Sequence, residues 1–153
     1  MIWKGSMLMK SNEKIVLDAW AILALILKEE PAAGIVKEIF EQAHRNKPSV
    51  FSSWINVGEV YYSIGKEKGI QEADEVIDTI QLLPITIQVP SQFDILKAAG
   101  LKALHKLSYA DAFAVSLALK IDGVIYTGDP EIISLKEVVK VKQLSRSKKV
   151  TKS

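Results

Sequence analysis

The 153-residue sequence contains no cysteine and only two histidines. The absence of cysteine excludes a disulfide framework, a thiolate zinc site and a cysteine nucleophile, and it fits a reducing compartment. With so few histidines, a histidine-rich metal site is nearly excluded as well. Any metal ion bound by this chain is therefore expected to be held by oxygen atoms.

Long apolar runs are also absent. No segment approaches the roughly 18 consecutive apolar residues that indicate a transmembrane helix. Residues 1–12 lack a long apolar stretch followed by a small-residue cleavage site, so they do not resemble a signal peptide. We therefore expect a cytoplasmic protein with no membrane partner, in which residues 1–12 are an N-terminal extension outside the fold.

A strong excess of one charge is missing too, because 20 basic and 18 acidic residues give a net charge of +2. The charges are nevertheless unevenly distributed. From Lys136 to the end, seven basic residues and one acidic residue give +6, which leaves 13 basic and 17 acidic residues, or −4, for residues 1–135. The basic end is interpreted either as a solvated terminus or as a tail that helps to hold a polyanion.

What the sequence does contain is one domain's length of chain, in which short apolar runs alternate with helical patterns. Strands are predicted over residues 14–17, 49–51, 85–89, 124–126 and 138–141. Helices are predicted over 19–27, 31–47, 53–64, 70–83, 91–104 and 108–120, with a short one from 130. This alternation predicts an α/β fold with a parallel sheet covered on both faces. In such folds the active crevice lies outside the carboxyl ends of the strands.

Four acidic residues occupy positions that could serve such a crevice. Asp18 directly follows the first predicted strand, and Asp129 follows the fourth. Asp111 lies in the first turn of the helix that Ser108 opens, and Glu59 lies within an earlier helix, mostly among apolar neighbours. These carboxylates are the candidate functional residues.

Three of the four acids have an alternative role as helix caps. Asp18 and Asp129 can be the N-caps of the helices that follow them, and Ser108 with Asp111 fits a relaxed capping box. Glu59 lies too deep in its helix to cap it, and no basic residue stands three or four positions away. It is either an exposed residue of an amphipathic helix or a buried carboxylate that needs a distant positive partner.

A divalent cation would provide that partner. Clustered carboxylates repel one another, and Mg²⁺ relieves the repulsion because it prefers carboxylate and water oxygens. Such an ion can lower the pKa of a bound water and act as a Lewis acid on a phosphate oxygen. The reaction that matches this chemistry is in-line attack of water on a phosphodiester.

Four blocks of sequence occur in the order IVLDAWAILAL, SSWINVGEVYYSIGKEKG, LSYADAFAVSLALK and VIYTGDPEI. In this order they resemble the PIN-domain family, and in particular the VapC-type toxins of prokaryotic type II toxin–antitoxin modules. The resemblance covers roughly residues 14–143. It implies a three-layer α/β/α PIN-like domain with a central parallel sheet of about five strands. We divide the chain into the extension at 1–12, a PIN domain at 13–145 and a basic C-terminal tail at 146–153.

The resemblance also implies an activity and a set of site residues. The implied activity is that of a Mg²⁺- or Mn²⁺-dependent endoribonuclease, a toxin that pairs with a cognate antitoxin protein and forms a homodimer. Asp18 and Asp111 correspond to the principal metal ligands, and Asp129 to a ligand that acts directly or through water. Glu59 corresponds to a residue that binds metal or orients the attacking water. Thr127 matches a hydroxyl position beside the fourth acid and is a possible accessory residue.

Two residues near these acids have open interpretations. Many relatives carry a serine or threonine where this chain has Trp20, which is either core packing or a stacking surface for a base. Glu131 is either a secondary metal ligand or a favourable charge in a helix's first turn. The main alternative function is a catalytically silent PIN-fold module that only binds RNA or protein. An aspartyl-phosphate phosphatase is disfavoured, because it would want a second acid at the position of Trp20.

Overall fold

The computed structural model describes residues 12–45 and 48–147, which form five strands and seven helices. The strands are β1 (Lys14–Leu17), β2 (Ser49–Ser53), β3 (Thr86–Gln88), β4 (Val124–Thr127) and β5 (Lys140–Gln143). The helices are α1 (Ala19–Ile26), α2 (Ala32–His44), α3 (Trp54–Lys68), α4 (Ile70–Gln81), α5 (Gln92–Leu104), α6 (Tyr109–Ile121) and α7 (Pro130–Ile133).

The strands form one parallel sheet in the order β3-β2-β1-β4-β5. The chain builds the sheet outward from β1 through β2 to β3, and then returns to add β4 and β5 on the other side. This reversal creates a crevice at the carboxyl ends of β1 and β4. Leu17 pairs with Tyr126 across these strands, so Asp18 and Thr127 follow side by side at the sheet edge.

Two groups of buried apolar side chains cover the faces of the sheet. Ile15 and Leu17 of β1 face a core completed by α1 to α4, whereas Val16 faces a second core completed by α5 to α7. The alternation follows from the two-residue period of a strand, and it makes β1 buried on both faces. The predicted α/β fold, with three layers and a five-stranded parallel sheet, is confirmed.

Most helices begin where the sequence predicts a cap. Ser53 caps α3 by accepting a hydrogen bond from the backbone N–H of Ile55, and Ser91 forms a complete capping box with Asp94 at the start of α5. Helix α3 continues four residues beyond the predicted end at Ile64 and stops at Gly69, whose φ of 98° favours glycine.

The last strand is the clearest correction. It begins at Lys140 rather than at the predicted residue 138. The backbone N–H groups of Val138 and Val139 both donate to the carbonyl oxygen of Leu135, which keeps these residues in a turn after α7. Val139 is nevertheless buried in the second core, which explains its apolar character.

The chain after β5 crosses back over the connection between α1 and α2. The backbone N–H of Leu144 donates to the carbonyl oxygen of Thr127. The N–H of Ala32 donates to the carbonyl oxygen of Ser145, and the N–H of Ser147 donates to the carbonyl oxygen of Glu30. The first two residues of the predicted tail, Arg146 and Ser147, are therefore hydrogen-bonded to the domain or contact it, while residues 148–153 lie outside the described residues. Asn12 is the only residue of the predicted extension that is described.

Across residues 12–45 and 48–147, no helix combines the length and apolar character needed to cross a membrane.

Candidate metal centre

Three of the four predicted acids meet at the carboxyl edge of the sheet. Asp18, Asp111 and Asp129 each offer one carboxylate oxygen, and these oxygens all lie within 4.8 Å of one another. Asp18 and Asp111 are buried, and Asp129 is half-buried. The end of β1, the loop after β4 and the first turn of α6 bring them together.

Asp18 serves as a helix cap and as a member of this cluster at the same time. Its Oδ1 atom accepts a hydrogen bond of 3.0 Å from the backbone N–H of Ala21 at the start of α1. Its Oδ2 atom accepts a hydrogen bond of 2.5 Å from the hydroxyl of Thr127. The Thr127 oxygen in turn accepts the backbone N–H of Asp129 at 2.9 Å. The buried hydroxyl predicted as an accessory residue therefore links the first acid to the fourth.

Asp111 is left free of the capping role that the sequence suggests. The Ser108 hydroxyl does accept the backbone N–H of Asp111 at 3.1 Å. The reciprocal half of the predicted capping box is wrong, because the N–H of Ser108 donates to Glu131 Oε1 at 3.2 Å instead. Glu131 therefore joins α7 to the start of α6, and the carboxylate of Asp111 faces the other acids.

Glu59 lies beside the three-acid cluster rather than inside it. Its side chain is half-buried, and its Oε1 atom is fully buried without a hydrogen-bond partner. Burial and, secondarily, the charge of Asp129 raise the pKa of the Glu59 carboxyl. Glu59 is thus near enough to interact electrostatically with the cluster.

Crowding and burial make the cluster unfavourable for negative charge. Burial raises the pKa of Asp18 to about 7, against the lowering effect of the hydrogen bond from Thr127. Burial, followed by the charge of Asp129, raises the pKa of Asp111 to about 8. A bound cation would reverse this balance, since an opposite charge favours ionised carboxylates. The ligand atoms that the three aspartates offer are all carboxylate oxygens, which Mg²⁺ and Mn²⁺ prefer.

Asn56 belongs beside these residues, although sequence reasoning missed it. It is fully buried one turn before Glu59, and its Nδ2 group donates to the carbonyl oxygen of Ala110 at 3.1 Å. Its Oδ1 atom is buried without a partner. A carboxamide among apolar residues, three positions before a candidate acid, is the sequence signal that could have identified it.

The indole ring of Trp20 packs against other residues of the protein. The guanidinium carbon of Arg146 lies 4.9 Å from the centre of the indole ring. Gly128 packs so closely against the ring that a Cβ atom at this position would overlap it. These contacts favour the core-packing interpretation of Trp20 over a free surface for stacking a base.

Comparison with protein families gives a match over most of the chain. A family model described as PIN domain matches residues 15–138. Among curated protein sequences, none matches this chain.

Solved structures with the same fold include several toxin–antitoxin proteins. VapC20 from Mycobacterium tuberculosis, described as a sarcin-ricin loop cleaving toxin, superposes with a TM-score of 0.66 and 16% identity, over 79% of this chain and 94% of that one. DNA-bound VapBC from Salmonella typhimurium superposes with a TM-score of 0.66 and 14% identity, over 86% of this chain and 98% of that one. VapBC-1 from nontypeable Haemophilus influenzae superposes with a TM-score of 0.63 and 14% identity, over 85% of this chain and 97% of that one.

Proposed function

The chain belongs to the PIN-domain family, and we propose that it is a divalent-metal-dependent endoribonuclease, the toxin of a toxin–antitoxin pair. The observation that carries the proposal is the convergence of Asp18, Asp111 and Asp129 within 4.8 Å at the carboxyl edge of the sheet. The description of VapC20 as a loop-cleaving toxin supports the choice of RNA as substrate. A cytoplasmic location is part of the proposal, because the expected substrate is cellular RNA.

The three clustered aspartates would hold Mg²⁺ or Mn²⁺, with Asp129 acting directly or through water. When bound, such an ion polarises a phosphate oxygen and lowers the pKa of water. Thr127 acts on the aspartates themselves, since its hydroxyl donates to Asp18 and accepts from the backbone of Asp129. This bridge orients the Asp18 carboxylate and holds the backbone of Asp129 beside it, while the backbone N–H of Glu131 orients the Asp129 carboxylate.

Glu59 is assigned the proton-accepting role in hydrolysis. The oxygen of a water molecule forms a bond to phosphorus, the P–O bond to the leaving nucleoside breaks, and that oxygen takes up a proton from the solvent to become a hydroxyl. The proton released by the water passes to Glu59. The buried Oε1 atom of Glu59 supports the assignment, because it has no hydrogen-bond partner among the described residues and can accept this proton.

The proposal gives this protein two protein partners, a cognate antitoxin and a second copy of the chain. The VapBC complexes among the structural neighbours support an antitoxin. Large apolar side chains are exposed on α5 and α6, as expected of a chain with protein partners; they are Phe93, Leu96, Leu104 and Leu119. Light scattering of the isolated protein should give twice the monomer mass of 16.9 kDa, and a monomer would contradict the homodimer.

The activity is tested by RNA cleavage after metal removal and readdition. Cleavage should require Mg²⁺ or Mn²⁺ and should fall by at least about 100-fold in Asp18→Asn and Asp111→Asn, because metal catalysis contributes several kcal/mol. Asp78→Asn, which changes an exposed carboxylate on α4, is the matched control and should cleave like the parent. Equal cleavage by all variants would contradict the proposal. Metal binding without cleavage of any RNA would favour the silent binding module instead.

A further inference from the structure

Two buried hydrogen-bond acceptors on α3 have no donor. Among the side chains that the structure describes, Asn56 Oδ1 and Glu59 Oε1 are the buried polar atoms without a hydrogen-bond partner. A buried acceptor that lacks a donor costs about 1–3 kcal/mol. Two such atoms on one helix therefore indicate a ligand that supplies hydrogen-bond donors.

The two acceptors lie on the same face of the helix. Residues three apart on an α-helix are neighbours, with Cβ atoms about 5–6 Å apart. The orientation of the Asn56 amide is fixed by its hydrogen bond to the carbonyl of Ala110, because a flipped amide would set two oxygens against each other. Its Oδ1 atom therefore points away from Ala110.

This pair of acceptors adjoins the acid cluster. Ala110, to which Asn56 is bonded, directly precedes Asp111. Glu59 lies near enough to Asp129 to feel its charge. The space served by the two orphan acceptors is thus beside the carboxylates that would hold the cation.

We propose that Asn56 and Glu59 together bind one water molecule, which donates one O–H to each, and that Asn56 positions this water for hydrolysis. Water is the smallest molecule with two donors, and buried waters typically satisfy otherwise unpaired polar groups. With both hydrogens engaged, the lone pairs of its oxygen face away from α3. The second half of the proposal rests on the function proposed above, while the first half does not.

A crystal structure of the wild-type protein at high resolution tests the water directly. We expect one water within hydrogen-bonding distance, about 2.6–3.2 Å, of both Asn56 Oδ1 and Glu59 Oε1. In Asn56→Leu, which keeps the branching at Cγ and has no polar side-chain atom, this water should be absent. Wild-type density showing no water at this position would overturn the proposal.

Kinetics separate a positioning role from a purely structural one. Asn56→Leu removes a tether between helices as well as the orphan acceptor, so Ser52→Ala is the matched control. Ser52 is equally buried, and its hydroxyl ties β2 to the carbonyl of Leu17 at 2.8 Å, without an unpaired acceptor. We expect Asn56→Leu to lower kcat about 10–100-fold, as the loss of supporting residues around metal sites does, with KM for RNA unchanged. Ser52→Ala should leave kcat unchanged.

Equal kcat values for the two variants would reduce Asn56 to a structural tether and overturn its positioning role. Failure of the wild-type protein to cleave RNA would overturn the proposed function instead. In that case, or if Asn56→Leu does not fold, the wild-type crystal structure still decides whether the water is bound.

Discussion

Single residues at the carboxyl edge of the sheet carry two roles at once. Asp18 and Asp129 each use one carboxylate oxygen to cap the helix that follows, α1 and α7 respectively. Asp18 also accepts the hydroxyl of Thr127, and both acids belong to the three-acid cluster. The capping and metal-binding interpretations of these residues are therefore compatible. A cap contributes about 1 kcal/mol, and it also fixes the carboxylate in place for a ligand.

The buried aspartates predict how the stability of the metal-free protein depends on pH. The pKa of Asp18 is raised from 3.8 to about 7 and that of Asp111 to about 8. Between pH 4 and 8 the folded state therefore holds more protons than the unfolded state. The contribution of these residues to the free energy of unfolding is complete below pH 3.8, falls as the pH rises, and levels off above about pH 8.

Urea unfolding in the presence of a chelator, at pH 5 and pH 8, measures this effect. The parent should be less stable at the higher pH, and Asp111→Asn should lose part of the difference because its amide does not titrate. The exposed variant Asp78→Asn is the control and should keep the full difference. A parent whose stability rises over this interval would contradict the pH dependence.

At the scale of elements, α1, the loop after β4 and the chain after β5 meet at one point. Trp20 of α1 lies between Gly128, which separates Thr127 from Asp129, and Arg146 of the C-terminal segment. Arg146 also pairs with Glu29 at 2.8 Å. The position of the β4 loop, and with it the fourth acid, therefore depends on how closely Gly128 approaches the indole.

Replacing Gly128 by alanine should destabilise the protein by about 1–3 kcal/mol, since the added methyl group overlaps the Trp20 ring. Combining it with Trp20→Ala should remove that penalty, so the two changes should be strongly non-additive in urea unfolding. Gly100→Ala, at a helical site with open space, is the control and should be stabilising by about 0.5–1 kcal/mol. Additive effects of the Gly128 and Trp20 substitutions would show that the contact is unimportant.

The elements also show what the sequence could predict. Short apolar runs, helical patterns and capping residues located every strand and helix, and the rule for strand ends brought Asp18 and Asp129 to the same edge. The last strand was misplaced because hydrogen bonds to Leu135 are a local turn that apolarity does not reveal. The Asn56–Ala110 bond could not be predicted from one sequence, because it joins residues 54 positions apart.

Contacts between residues far apart in the sequence also decide between the alternative interpretations of Trp20 and Glu131. The packing of Trp20 against Arg146 depends on the C-terminal segment crossing back over the α1–α2 connection. Glu131 was interpreted as a metal ligand or a helix-end charge, but its carboxylate accepts the N–H of Ser108, 23 residues earlier. Glu59 lies outside the three-acid cluster. Its distance from the aspartates is set by how α3 packs in the fold, which the order of the four sequence blocks does not reveal.

For the whole molecule, the near-zero net charge conceals an acidic domain and a basic end. Part of that basic end is paired within the fold, since Lys140 contacts Asp122 at 3.0 Å and Arg146 contacts Glu29. The proposed acidic metal site would repel RNA, so attraction would have to come from basic residues elsewhere. Residues 148–153 contribute three lysines, Lys148, Lys149 and Lys152.

We expect removal of residues 148–153 to flatten the salt dependence of RNA binding while keeping the hydrogen bond of Ser147 to Glu30. Each lost phosphate contact should lower the slope of log affinity against log salt by about 0.7 for a single strand. Fluorescence anisotropy in the cleavage-deficient Asp111→Asn background measures this slope. A variant with glutamine at the three lysines keeps the length and should match the deletion. An unchanged slope in both would identify the segment as a solvated terminus.

The most direct test of the central claim is a crystal of the protein soaked in MnCl₂, with the anomalous signal of manganese recorded. We expect an anomalous peak within about 2.5 Å of carboxylate oxygens of Asp18 and Asp111, with Asp129 bound to the ion directly or through one water. No peak at this position under saturating Mn²⁺, or a peak bound only by other side chains, would contradict the claim that these acids form a metal-binding site.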